Sequence, residues 1–368
     1  MQDAAGIGRA LAFSRDGRWL ATSGSDGFPR LWPLPGTGSR EVRTLHLPEP
    51  SPPMDLVFAP GDRVLFGAGV GRPFVAPLDG STARLLEKPS ADRNMFGVAV
   101  SPSGRHVATA TLAGTGPERL AVWDLETGER KLFDLPKAGR DEGGGGDPSA
   151  WSGSPGLVHN LHFADEKTLY TAGMGGVRRW NLEMGTHELV FPTEPGVSAL
   201  MEASADGQMA LVDLLPAGVD PGQCTGFGVL GLSSGTMTPL PSFRGCPASF
   251  ALDPSGTIAA IADFDGVLHV GRLSAEKPHL LFGHEGPVSR VAFSPDRHWI
   301  ASIGEDQTLR LWPMPDLDRP PLNALPYDEL LTRLRSLTNI RAVRDPASAT
   351  GWSIALDLFP GWKEVPAW

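Results

Sequence analysis

Three groupings in this 368-residue chain have the residue types that chemistry requires. Gly231, Ser233 and Gly235 match G-x-S-x-G, which in hydrolases presents a strained serine nucleophile on a strand-to-helix turn. His284, Ser302 and Asp306 have the types of a nucleophilic triad, in which histidine takes the serine proton and the carboxylate orients the imidazole. Asp263-Phe264-Asp265-Gly266 is a near match to the Asp-Phe-Gly of phosphoryl transfer, a chemistry that also needs a Gly-rich loop, a strand lysine and a His-Arg-Asp loop. None of those three parts is in the sequence. Metal-ligand spacing is weak as well. His159 and His162, three apart on a strand, fall on opposite faces, and Cys224 and Cys246 have no histidine pair at zinc spacing.

The elements that must position these residues repeat. An apolar strand, a small turn and a second apolar stretch recur seven times, as in LAFSRDGRWLATS from Leu11, LVFAPGDRVLFGA from Leu56 and VAFSPDRHWIASI from Val291. The matching positions Phe13, Phe58, Val100, Phe163, Ala203, Leu252 and Phe293 are separated by 45, 42, 63, 40, 49 and 41 residues. Four-stranded propeller blades recur at about 40–45 residues. Third strands follow (FPRLWPL, RLAVWDL, VRRWNL, TLRLWPM), then turns and fourth strands, of which the seventh repeat has none. The expected fold is all-β: a seven-bladed β-propeller over residues 1–315, a Pro-rich linker at 316–326, and a tail at 327–368 docked on the propeller. In the tail, Leu330, Leu331, Leu334 and Leu337 form one helical stripe, and WSIALDLF alternates as a strand. An open sheet edge invites aggregation, so the seventh blade is expected to be completed and the ring closed either by strand 352–359, the favoured reading, or by a strand from upstream sequence.

Placed in this repeat, the first and third groupings lose their chemistry. Ser233 lies in the hairpin turn between third and fourth strands, with no helix after it. The Asp-Phe-Asp-Gly segment is the turn before a third strand.

The repeat resembles the WD-repeat propellers over roughly residues 8–315. The residues that carry the resemblance are Gly283, His284, Ser302, Asp306 and Trp312 in the seventh repeat, Thr22, Asp26 and Trp32 in the first, Trp123-Asp124 in the third and Trp180-Asn181 in the fourth. Repeats two, five and six lack the tryptophan. The resemblance implies that His284, Ser302, Asp306 and Trp312 form a buried hydrogen-bond chain, with Thr22, Asp26 and Trp32 the equivalents in the first repeat. The triad reading then gives way to a structural one. The tail wording TNIRAVRDPASATGW and FPGWKEVPAW is similar to the end of propeller regions attached to bacterial, myxobacterial-type serine/threonine kinases. That implies a recruiting or regulatory module in signalling, here without the kinase.

Composition narrows the partner. A net charge of −10 without a basic run argues against nucleic acid. No apolar run approaches the roughly 18 residues a membrane span needs. The expectation is a cytoplasmic, monomeric, non-catalytic protein-binding or sensory scaffold, with no cofactor and no metal. The alternative is a metal-dependent hydrolase with its site in the central channel, though no repeated Asp or Glu marks a ring of ligands there. Candidate partner-binding residues on one face are Arg93, Asn94, Trp151, Asp220, Glu285 and Glu305. The two cysteines fall in loops that leave the fifth repeat on one face. They read as two separate thiols of a reducing compartment, with a bridge between them left open.

Overall fold

The computed structural model describes residues 10–24, 26–38, 41–50, 52–69, 72–86, 95–111, 119–135, 158–194, 197–216, 226–240, 243, 246–274, 277–330, 340–344 and 352–356. Contacts divide the chain into two units, Met1–Asp316 and Leu317–Trp368. In the first, seven antiparallel sheets follow one another as blades: Leu11–Thr44, Pro53–Leu85, Met95–Asp134, Val158–Pro192, Val197–Pro239, Ser249–Leu281 and Val288–Pro313. Blades 1 to 6 have four strands, and blade 7 has three among the described residues. The first strand of each blade contacts the first strand of the next, and that of blade 7 contacts that of blade 1, so these strands line the axis of a closed ring. The expected propeller is present.

Strand alternation explains where the core sits. Along the second strand of each blade, successive small and branched residues point alternately to the two neighbouring blades. Apolar clusters therefore form between blades. Trp180 and Leu169 pack on Leu120 and Val122 of blade 3, while Leu11 and Leu20 pack on Ala301, Ile303 and Leu309 of blade 7. This last cluster joins the two ends of the ring. Of the strand expected to close it, 352–359, residues 352–356 are described. Trp352–Leu356 pairs with Ile340–Arg344 in a two-stranded sheet within the second unit. In the same unit residues 327–330 are helical, as the stripe predicts, and the rest of that stripe lies outside the described residues. The Pro-rich linker contains a short 3-10 helix at Leu322–Ala324.

Polar side chains fasten neighbouring blades at two levels. On the axis, the Asp55 carboxylate accepts from the Val98 amide at 2.9 Å and Asn160 Oδ1 from the Met201 amide at 2.9 Å, while the Ser249 hydroxyl donates to the Val288 carbonyl at 2.9 Å. These join blades 2 to 3, 4 to 5 and 6 to 7. At the turns between first and second strands, Asp62 accepts from the Arg15 and Asp16 amides at 2.8 and 2.7 Å, and Glu166 from the Ser103 amide at 2.7 Å. Arg297 approaches Asp253 at 3.7 Å. These join blades 1 to 2, 3 to 4 and 6 to 7. Where the turn carries no such side chain, glycine allows close approach. A Cβ on Gly207 would stand 3.0 Å from the Ala164 Cβ.

Asp62 and Arg297 make their contacts from left-handed backbone, with φ of 52° and 59°. That conformation costs a residue with a Cβ about 1–2 kcal/mol. Asp62→Ala keeps the strain and loses two hydrogen bonds, whereas Asp62→Gly loses the bonds and relieves the strain. In urea denaturation the glycine variant is expected to be about 1 kcal/mol more stable than the alanine variant. The reverse order would show that Asp62 is not strained.

Cys246 is disulfide-bonded, which corrects the reading of two separate thiols. The sequence had already put both cysteine-bearing loops on one face, as a bridge requires. Cys224 itself lies outside the described residues.

Candidate functional site

The triad-like residues lie in blade 7. Ser302 is the fourth residue of the strand Trp299–Gly304, and Trp312 is the fourth of Leu309–Pro313, the strand paired with it. His284 enters from the connection before the blade, and Asp306 from the turn between the two strands. The Trp312 indole Nε1 donates to Ser302 Oγ at 2.8 Å, Ser302 Oγ lies 2.7 Å from His284 Nε2, and His284 Nδ1 lies 2.9 Å from Asp306 Oδ2. Burial holds the His284 imidazole below its ordinary value, against the raising effect of Asp306, so the ring is neutral at pH 7. One direction of donation satisfies every member. Trp312 gives to Ser302, Ser302 gives to His284 Nε2, and His284 Nδ1–H gives to the carboxylate. Burial works to raise the Asp306 carboxyl, but hydrogen bonds from Thr308, the Glu285 amide and His284 overcome it and bring it down to about 2. Ser302 is 0% exposed, so no substrate reaches its hydroxyl. The network is a clamp and not a nucleophile.

Other blades carry parts of it. Trp32 donates to Thr22 at 2.9 Å in blade 1, and Trp180 to Thr171 at 3.0 Å in blade 4. Asp26, expected in the blade 1 chain, is not joined to it. Its carboxylate is held by Arg30 at 2.6 Å, because the sequence supplies no Gly-His ahead of that blade. Blade 3 holds the literal Trp123-Asp124 pair, yet Thr109 Oγ1 is buried without a partner and Asp124 is paired with Arg105. Ser233 sits in a hairpin closed by the Gly235 amide on the Gly231 carbonyl at 2.8 Å. Asp263 caps its own turn through the amides of Asp265 and Val267.

The blade 7 clamp also fixes the surface around it. The Glu285 amide donates to Asp306, the Glu305 amide to the Pro287 carbonyl at 2.9 Å, and both side chains are exposed. The structure thus brings Glu285 and Glu305 together at one end of blade 7. Arg93, Asn94, Trp151 and Asp220 lie outside the described residues.

A second charged group was missed in the sequence. Asp55, His159, Glu202 and Arg290 come from the axial strands of four different blades, and their charges act on one another across the channel. Enclosure raises the Asp55 carboxyl. It also pushes Glu202 to about 7, with the Asp55 charge adding and Arg290 opposing. Burial, with Arg290 adding, lowers His159 to about 4. Asp55 and Arg290 share one position of the repeat while His159 and Glu202 stand at others, so no periodic acidic position announces them. Among the described residues no group of three or more His, Cys, Asp or Glu has the arrangement to hold a metal ion.

The model of the family described as "WD domain, G-beta repeat" matches residues 4–33 and 276–313, the segments that hold Thr22, Trp32 and the blade 7 clamp. The chain is similar to the Periodic tryptophan protein 2 homolog of Dictyostelium discoideum, 28% identical over 158 residues, which covers 40% of this chain and 16% of that protein. It is also similar to Periodic tryptophan protein 2 of Saccharomyces cerevisiae, 38% identical over 64 residues, 17% of this chain and 7% of that protein. The chain thus spans less than a fifth of the length of these curated relatives. Clamp, blade order and family match agree: the chain is a seven-bladed β-propeller whose segments 4–33 and 276–313 match the WD repeat.

Proposed function

We propose that this propeller is a protein-interaction scaffold with no catalysis of its own. The observation that carries the reading is the blade 7 clamp, which spends His284, Ser302 and Asp306 on rigidity while holding Glu285 and Glu305 out to solvent. Loops on a rigid frame are where binding residues concentrate. A role in bacterial signalling, beside a kinase, rests on the resemblance of the tail alone and belongs to the proposal, as does a monomeric state. So does a cytoplasmic location, against which stands the disulfide at Cys246, since such bonds persist in oxidising compartments. The channel-hydrolase reading has Asp55, His159 and Glu202 in its favour, without a metal-holding arrangement among the described residues.

The test is affinity capture from the source cells with the intact chain and with the Glu285→Lys/Glu305→Lys chain. Both substitutions are at exposed positions and leave the clamp in place. Capture by the first and not the second supports an interaction face at blade 7. A folded intact chain that captures nothing overturns the scaffold reading and turns attention to the channel.

A further inference from the structure

The row of side chains that blade 4 turns toward blade 5 differs from its counterparts in the other six blades. In the sheet register His162 pairs with Tyr170, Tyr170 with Arg179 and Arg179 with Glu188, so the four lie on one face. Tyr170 packs with Ala199, Met201 and Ala210 of blade 5, which identifies the face as the one toward that blade. The position of Arg179 is taken by Leu31, Val75, Val122, Val229, Val270 and Leu311 in the other blades. There an aliphatic side chain fills the space against the next blade. In blade 4 the arginine is drawn to the Tyr170 side chain and to Glu188 instead. A groove of about 660 Å³ opens between the blades, within the size range of ligand sites.

The groove has a definite chemistry. Its walls include Tyr170, Arg179 and Glu188 of that row together with Asp165, and Asp206, Gly207, Gln208 and Ser233 of blade 5. Arg179 is neutralised by Glu188. Asp206 accepts from the Ser204 hydroxyl at 2.6 Å and the Gln208 amide at 3.1 Å, and Asp165 accepts from the Lys167 and Thr168 amides at 2.8 Å each. Those bonds lie within each turn, and among the described residues neither carboxylate makes a salt bridge, the Lys167 ammonium near Asp165 being held by Glu183. Hydrogen bonding from Ser204 and Gln208 holds Asp206 below the usual range; burial opposes the same outcome at Asp165 but is overcome by its turn amides. Both are ionised at neutral pH. At the inner end of the row His162 Nε2 is buried without a partner, and burial lowers that imidazole to about 4, so it adds no positive charge.

We propose that the groove between blades 4 and 5 binds a lysine or arginine side chain on a basic peptide segment of a partner protein, with Asp165 and Asp206 receiving its charge. The proposal rests on the reading of the propeller as an interaction module and names the partner chemistry for one site on it.

The experiment is fluorescence anisotropy of a fluorescein-labelled alanine–lysine peptide against the intact chain, with an alanine–glutamate peptide as control. Asp165→Asn/Asp206→Asn removes both charges while keeping an oxygen that accepts the turn amides, and is expected to weaken binding of the lysine peptide about tenfold. Gln208→Lys, at an exposed position, places a cation in the groove and is expected to weaken binding by a similar factor of about ten. Asp79→Asn, in an exposed turn of blade 2, is expected to change nothing. No binding of the lysine peptide, equal binding of the glutamate peptide, or unchanged binding by a folded Gln208→Lys chain each overturns the groove. Cell partners captured in spite of such a result leave the scaffold reading standing and place its contacts elsewhere.

Discussion

Asp213→Ala is expected to stabilise the protein by about 2–4 kcal/mol at pH 8, an unusual sign for a substitution in a core. Asp213 lies on the second strand of blade 5, is 0% exposed, and neither carboxylate oxygen has a hydrogen-bond partner of good geometry among the described residues. The same place in the register is Ser23, Ala68, Ala110, Ala172, Ala262 and Ile303 in the other blades, so the fold accepts alanine there. Burial pushes the carboxyl from 3.8 to about 7, opposed weakly by the Leu214 amide. The folded chain therefore keeps a proton that the unfolded chain releases. Stability from this group is intact below pH 3.8 and falls as pH rises toward 7, by roughly 4 kcal/mol in the limit. The small void left by alanine offsets part of the gain. Urea denaturation of both chains from pH 5 to 8 gives the answer as a difference, which matters because other groups titrate in the same range. Glu202, raised by enclosure, acts in the same direction as Asp213, whereas His159 and His162, lowered by burial, cost stability as pH falls below 6.5. A difference between the chains that does not grow with pH, or a destabilised variant, would remove the idea of an uncompensated acid. Asp213→Asn keeps the volume and abolishes the titration, and separates the two contributions.

Blade number and blade order were legible because each rests on local pattern, and the four residues of the clamp because their repeat resembles the WD repeats. Strand alternation, turn glycines and the spacing from His284 to Trp312 are properties of one repeat. The hairpin of Ile340–Arg344 with Trp352–Leu356 was not legible, because which segment a strand pairs with is not a property of that strand alone. The channel group was hidden for a related reason: Asp55, His159, Glu202 and Arg290 are far apart in sequence and meet only once the ring exists. Arg179 and Asp213 belong to a middle class. Each breaks a rule that the other six repeats keep, an aliphatic at one position and a small or branched residue at the other. An alignment of the seven repeats strand by strand contains that signal, but reading it requires the register, since insertions change the spacing from repeat to repeat. Trp123-Asp124 shows the converse. The dipeptide is present, and the hydrogen bond to Thr109 that it advertises is absent.

Ser302→Ala is expected to be the most damaging single substitution in blade 7, at about 3 kcal/mol. Ser302 Oγ serves two side chains at once, Trp312 Nε1 at 2.8 Å and His284 Nε2 at 2.7 Å. Its loss leaves a buried donor and a buried acceptor together, each costing about 1–3 kcal/mol. Thr22→Ala in blade 1 removes a hydroxyl joined to Trp32 alone, so a loss of about 1 kcal/mol is expected there. The contrast tests whether the clamp works as a chain or as separate bonds. In the first case Ser302→Ala and His284→Ala are strongly non-additive, since either breaks the same path to Asp306; in the second their costs add. Acid provides an independent reading. The His284 value is depressed by burial, so the unfolded chain protonates first, and the stability it contributes is lost as pH falls from 6.5 toward the lower folded value. A charged imidazole would also turn Nε2 into a donor facing the Ser302 hydroxyl, and the one-way order of donation would fail. Blade 7 has three strands among the described residues, and Leu309–Pro313, which carries Trp312, is the outermost of them. The clamp is then what ties that strand to the rest of the blade and to the connection bearing Glu285. Hydrogen exchange in the Ser302→Ala chain is expected to rise in Leu309–Pro313 and at the Glu285 amide before it rises in blade 4. Uniform acceleration around the ring would mean that the clamp supports the whole propeller and not the one face on which the proposed contacts sit.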